Sequence, residues 1–124
     1  MILSLLKSKI HRATVTEADL NYVGSITIDE DLMDAAGIIE YEKIQVLNIT
    51  NGNRLETYAI KGDRGSGCIK INGAAAHHVN VNDLIILVTY CELKKHEIEA
   101  HKPQIVHVDS QNNIVSIYDN ELST

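Results

Sequence analysis

Apolar and polar residues alternate with a period of two along much of this chain, the period at which successive strand side chains point to opposite faces. Positions 43–50 (K-I-Q-V-L-N-I-T) show it clearly, and the Asn51-Gly52 pair that follows is a strong two-residue hairpin signal. The extended pattern resumes over 55–60, so 41–60 is expected to form a hairpin. Positions 61–67 (K-G-D-R-G-S-G) carry three glycines and read as a turn, with a short strand over 68–71 behind it. Positions 83–89 (D-L-I-I-L-V-T) are almost continuously apolar, the mark of a strand covered on both faces. Two further strands are expected over 105–108 and 114–118, around a turn at 110–113. Helix is scarce. One is expected over 29–36, with acidic residues in its first turn and Gly37 closing it, and another over 93–101, stopped by Pro103. Many short strands joined by glycine-rich turns favour a small barrel over a sandwich.

The length of 124 residues fits one domain, at roughly 100–200 residues per domain. With no Trp or Phe, the core must be built from Ile, Leu, Val and Ala, and five Tyr are the only large rings. Such a core is modest, which makes oligomerisation unsurprising. The net charge of −6 argues against nucleic-acid partners, whose phosphates demand a basic surplus. A small anion remains admissible where a local basic cluster prevails, because screening confines such fields to about 8 Å. No apolar run reaches the about 20 residues that span a bilayer, so no membrane partner is expected. The apolar start is short and followed by Lys7 and Lys9, the reverse of a secretory signal. Two cysteines, Cys68 and Cys91, make no disulfide framework, and the cytoplasm is the expected compartment.

Three features could carry chemistry, and each alone reads as structural. Tyr22-Val23-Gly24-Ser25 lies between strand-like stretches, where a Gly-Ser pair ordinarily marks a turn. Arg54, Thr57 and Tyr58 share a strand; alternation places Arg54 and Tyr58 on one face and Thr57 on the other, unless a bulge intervenes. Asn72-Gly73-Ala74-Ala75-Ala76 is a run of small residues where a backbone can approach a ligand closely. Lys9 and His11 lie on an alternating stretch that reads by default as a solvated face. Adjacent His77 and His78 point to opposite faces, and His96 and His101 are out of phase on a helix, so no metal site is expected. Positions 64–67 (R-G-S-G) lack the Lys of a phosphate loop.

Taken in order, these residues make a collinear pattern. It comprises Ser8-Lys9-Ile10-His11-Arg12, Tyr22-Val23-Gly24-Ser25, Thr50-Asn51-Gly52-Asn53-Arg54, Thr57-Tyr58-Ala59-Ile60, Arg64-Gly65-Ser66-Gly67, Asn72-Gly73-Ala74-Ala75-Ala76-His77 and Asp83-Leu84-Ile85-Ile86. More loosely it extends from Lys102-Pro103 to about Tyr118. In this pattern the chain resembles the aspartate 1-decarboxylases, the pyruvoyl-dependent enzymes that make β-alanine for pantothenate synthesis. Asn82 departs from the usual Gly before the Asp, and Asn also tolerates a left-handed backbone. The tail from Asp119 looks unconstrained.

The resemblance implies a mainly β fold, a small double-psi β-barrel with one or two short helices. It implies that the precursor cuts itself between Gly24 and Ser25 into residues 1–24 (the beta chain) and 25–124 (the alpha chain). The Ser25 hydroxyl would attack the Gly24 carbonyl, and the resulting ester would eliminate and hydrolyse to a covalent pyruvoyl group. That chemistry draws on the high effective concentration of a hydroxyl bonded beside its target. By the family pattern Thr57 and Asn72 stabilise the oxyanion. The pyruvoyl carbonyl would then condense with L-aspartate and act as the electron sink, with no metal and no pyridoxal phosphate. Arg54, a planar five-donor fork, suits one substrate carboxylate, and Lys9 and His11 join it in a basic cluster. A phenol holds its proton at neutral pH, so Tyr58 can return one after decarboxylation. Thr57, Asn72, Gly73, Ala74 and Ala75 would line the substrate site, with Tyr22 and Ile86 as walls. The resemblance further implies a homotetramer with active sites between subunits, and leaves open a maturation factor. Two other readings stand beside it: a pyruvoyl enzyme for another acidic amino acid such as glutamate, and an unprocessed barrel that only binds.

Overall fold

The computed structural model describes residues 1–21 and 24–121. Among these residues nine strands form one mixed sheet: β1 (Ile2–Thr14), β2 (Glu17–Asp19), β3 (Ser25–Asp29), β4 (Lys43–Asn48), β5 (Arg54–Gly62), β6 (Ile69–Asn72), β7 (Leu84–Lys94), β8 (Gln104–Val108) and β9 (Ile114–Tyr118). Helix α1 covers Glu30–Ala36, a 3-10 helix covers Gly73–His78, and α2 is one turn, Lys95–Ile98. The strand order is β2-β6-β3-β5-β4-β7-β1-β8-β9. Only Val15 and Thr16 separate β1 from β2, although these stand seventh and first in that order. The sheet must therefore curl until β2, at one end, meets β1 along one continuous ribbon, which makes it a barrel with β8 and β9 extending past the seam. The backbone bonds from Val15 to Asp83 and from Thr16 to Ile69 (both 2.9 Å) fasten that seam.

The expected mainly β fold is what the chain adopts. Its core is aliphatic: Ile10, Ile26, Ile28, Ile44, Ile69, Ile71, Ile85 and Leu87 are all buried inside the barrel. Helix α1 lies where the acidic first turn and Gly37 place it, and Leu32, Met33 and Ala36 seal one side of the core. Asn82 takes a φ of 76°, so the turn before β7 keeps the left-handed backbone that Asn permits.

Two local expectations are corrected. The strand expected to end at 89 runs on to Lys94, because β1 pairs with it as far as Ile2↔Lys94. That ladder consumes the start of the helix expected over 93–101 and leaves only α2. The hairpin connection is longer than two residues, since the β4–β5 ladder closes at Leu47↔Arg54. There Asn48 Oδ1 accepts from the Thr50 N–H and Asn51 Oδ1 from the Asn53 N–H. These local side-chain bonds outcompete a tight turn, and Gly52 absorbs the left-handed step at φ 78°.

Asp29 ties α1 to the barrel. Its buried carboxylate accepts from the Asp31 N–H (2.8 Å) at the helix start and from the Gly65 and Gly67 N–H groups (3.1 and 2.8 Å) in the glycine-rich turn. Replacing it strands three backbone donors, so Asp29→Ala is expected to lower the stability against urea by about 1–3 kcal/mol. An unchanged midpoint at equal protein concentration contradicts this role.

Candidate active site

Strand β3 is the best-held element near the Gly24-Ser25 bond. It runs antiparallel to β6, with Ser25 opposite Asn72, and parallel to β5, with Ile26 opposite Ala59. Ile26 and Ile28 point into the core, so alternation turns Ser25 and Thr27 to the other face. There the Asn72 amide, wholly buried, donates from Nδ2 to Ser25 Oγ (2.9 Å) and Thr27 Oγ1 (3.1 Å). Asn72 Oδ1 is buried with no hydrogen-bond partner. Buried amide oxygens are rarely left so, which makes this atom an acceptor awaiting a donor. A Cβ built on Gly24 would meet nothing within 4 Å, so the bond preceding Ser25 is sterically open.

The ladders decide which other residues share that face. Residues paired across a ladder point to the same side. The rows Arg54–Leu47–Ile86 and Lys9–Val88–Gln45–Glu56 therefore lie together on the outside of the barrel. Their neighbours Ile10, Leu87 and Val46 fill the core. Tyr58, opposite Lys43, belongs to this outer face, and continuing the β3–β5 register by one residue sets it beside Ser25. Thr57 pairs with the core residue Ile44 and faces inward. The β4–β5 ladder shows no register shift, so alternation holds and Thr57 does not join Arg54 and Tyr58 on their face.

The remaining site residues divide by place. Gly73 is buried at φ 69° and starts the 3-10 helix directly after Asn72; Ala74 is exposed, Ala75 half-buried and Ala76 in the core. Arg54 is exposed, and among the described residues no carboxylate engages its guanidinium. Lys9 Nζ lies 3.2 Å from Glu121 Oε1. Lys9 also stands four strands from β3 in the sheet order. A hollow of about 420 Å³ opens beside this face, lined by Ser4, Lys43, Gln45, Tyr90, Cys91 and Glu92. It contains none of the residues picked from the sequence. Tyr22 lies outside the described residues.

His11 sits at an irregularity. The β1–β7 register breaks between Ile10 and Ala13, with Arg12 at φ 63°, yet His11 keeps its place in the parallel β1–β8 ladder opposite His107. Burial pushes the His11 pKa below the usual imidazole value, and the neighbouring positive charges of Lys9, His107 and Arg12 push the same way against Glu121. Sequence reading missed three participants. Thr27 was legible, two residues from Ser25 and hence on its face. Glu121 and His107 were not, because nothing local says that β8 lies parallel to β1.

Comparison with known proteins adds the family. The aspartate decarboxylase family model matches residues 1–115. An aspartate 1-decarboxylase of Caldicellulosiruptor bescii is 64% identical over 121 residues, 98% of this chain and 94% of that protein. Its counterpart from Clostridium kluyveri is 61% identical, covering 98% and 95%, and that from Corynebacterium efficiens 59%, covering 94% and 86%. Among solved structures, the rationally designed mkDPBB_sym_86 protein is similar at a TM-score of 0.48 and 13% identity, covering 62% of this chain and 90% of its own.

Cys68 is the other nucleophile near β3, its Sγ 4.0 Å from the Thr27 carbonyl. Burial raises its pKa above the ordinary thiol value, outweighing the hydrogen bond from Ser66 that lowers it. Less thiolate is then present at neutral pH than for a free thiol. Iodoacetamide is expected to alkylate Cys68 more slowly than the same cysteine in urea, with a rate still climbing at pH values where the unfolded thiol has levelled off. Equal rates and equal plateaus contradict this.

Proposed function

The chain belongs to the aspartate decarboxylase family, and from that premise we propose that it decarboxylates L-aspartate to β-alanine and carbon dioxide after converting Ser25 to a covalent pyruvoyl group. The observation that carries the proposal is the buried Asn72–Ser25 hydrogen bond next to an open Gly24. Such a bond holds the Ser25 hydroxyl in one place, bonded next to the carbonyl it would attack. The oxygen adds to the Gly24 carbonyl carbon and the C–N bond breaks, leaving an ester and a free amine. Loss of the Ser25 α-proton expels the Gly24 carboxylate, and water then replaces the nitrogen, which departs as ammonia. Residues 1–24 and 25–124 would result.

The residues around Ser25 fit such a group. Asn72 Nδ2 already donates at the Ser25 side chain and can donate to a carbonyl oxygen there, while the unpartnered Oδ1 can accept from a substrate amine. When formed, the pyruvoyl carbonyl supplies the electron sink for loss of the α-carboxylate. The chain's own side chains do the rest. Arg54, uncommitted to any carboxylate of the described chain, grips a substrate carboxylate with its planar fork. Tyr58 returns a proton to the carbon that loses carbon dioxide. The small Gly73, Ala74 and Ala75 leave room beside Asn72, and Ile86 forms a wall next to Arg54. Thr57 serves the cleavage step from the inner face. Lys9 and His11, four strands from β3 in the sheet order, act on substrate held at Ser25 of a neighbouring copy. Sites shared between subunits of a homotetramer accord with that placement, and exposed apolar side chains such as Ile39, Tyr41 and Val115 offer contact surface. Free Cys68 and Cys91 suit the reducing cytoplasm.

The test is turnover in matched variants. Purified protein is expected to release carbon dioxide from aspartate faster than from glutamate, and Ser25→Ala to release none. Arg54→Ala is expected to lose about 10²-fold or more in kcat/KM, the scale of a charge-assisted carboxylate bond, with cleavage intact. Undiminished turnover by Ser25→Ala removes the pyruvoyl from the account, and by Arg54→Ala removes the carboxylate grip.

A further inference from the structure

His107 has no place in the reaction described above, yet it stacks against a residue that does. The parallel β1–β8 ladder sets His107 opposite His11, with ring centroids 4.9 Å apart and planes tilted 46°. On its other side His107 meets the Tyr118 ring edge-on at 5.3 Å. Three rings from β1, β8 and β9 thus form one stack. Two nitrogens in it, His11 Nδ1 and His107 Nε2, are buried without a hydrogen-bond partner.

We propose that His107 is a positioning residue for His11, holding it as a neutral imidazole that offers its Nε2–H edge to a substrate carboxylate. The proposal rests on the reading that His11 contacts substrate. An imidazolium carries a proton on both nitrogens, so a charged His11 would bury an Nδ1–H with no acceptor. The neutral ring needs one proton and can carry it on Nε2, which is not enclosed in that way. A charge on His11 would also lie against His107, whose ring opposes it from the facing strand. The surroundings reinforce the arrangement. Lys9 and Arg12 flank His11 on β1, and β7 contributes only Ile85, Ile86, Leu87 and Val88 along this stretch. Helix α1, which also packs on β1 and β8, commits Glu30, Asp31 and Asp34 to Arg64. Tyr118 faces the stack from β9, and among the described residues Glu121 alone brings a negative charge, already paired with Lys9. A neutral His11 leaves Lys9 and Arg54 as the cations of the substrate cluster and adds a directed donor without a third charge.

The experiment follows the His11 ring by NMR titration in the intact, processed protein, its signal assigned by loss in His11→Gln. In the wild type His11 is expected to titrate below the ordinary imidazole value. In His107→Gln the midpoint is expected to rise, because the opposing charge is gone and an amide can partner Nδ1. The acidic limb of the kcat/KM profile for aspartate is expected to move to higher pH with it. His107→Asn provides the same readout should the glutamine variant not fold. An unmoved midpoint in a folded variant overturns the role of His107, even if His11→Gln still raises KM for aspartate. A moved midpoint combined with an unchanged KM in His11→Gln instead overturns the reading of His11 as a substrate contact, and the proposal falls with it.

Discussion

Strand β3 is clamped along both edges, antiparallel to β6 and parallel to β5, and the amide of Asn72 closes the clamp on the Ser25 hydroxyl. Both side chains are almost fully removed from water. A hydroxyl free to rotate in solvent rarely points at its own preceding carbonyl. One that is buried, hydrogen-bonded and fixed in a two-sided ladder has far fewer orientations to sample, and that restriction is where the effective concentration of an intramolecular nucleophile comes from. The same face then presents Tyr58 beside Ser25, and Arg54 further along the strand. Processing and substrate handling in this reading are two uses of one surface.

The protein as a whole is acidic, at −6, and its proposed substrate is acidic too. The outer face shows how the two are compatible. Cations there come from strands whose partners across the ladder are mostly neutral: Arg54 sits beside Leu47 and Ile86, and Lys9 beside Val88 and Ile105. The acidic residues of α1 are spent on Arg64, on another part of the surface. Segregation of charge over distances longer than the screening length lets a local field differ in sign from the global one.

Most of the fold was legible because the signals were local. Alternation over 43–50 and 55–60, the apolar run into β7, the acidic start and glycine end of α1, and the Asn82 turn each depend on neighbours in sequence. What failed depended on distant pairing. The residues after Cys91 carry helical spacing, but β1 offers a long edge and extends β7 through them. The Asn51-Gly52 signal is real, but the asparagine side chains around it bind backbone first. The same division holds at the site. Ser25, Asn72, Arg54 and Tyr58 were selected by resemblance, and the faces of Arg54, Thr57 and Tyr58 by simple alternation. The separation of Lys9 from Ser25, and the stack of His107 on His11, are consequences of strand order, which no local pattern encodes.

The central claim is that the main chain between Gly24 and Ser25 is exchanged for a ketone at a new terminus, and intact-mass measurement of catalytically active protein reads it directly. The account predicts two polypeptides corresponding to residues 1–24 and 25–124, the larger lighter by one ammonia than a fragment beginning with serine. A single polypeptide of full-length mass in a sample that turns over aspartate would contradict it.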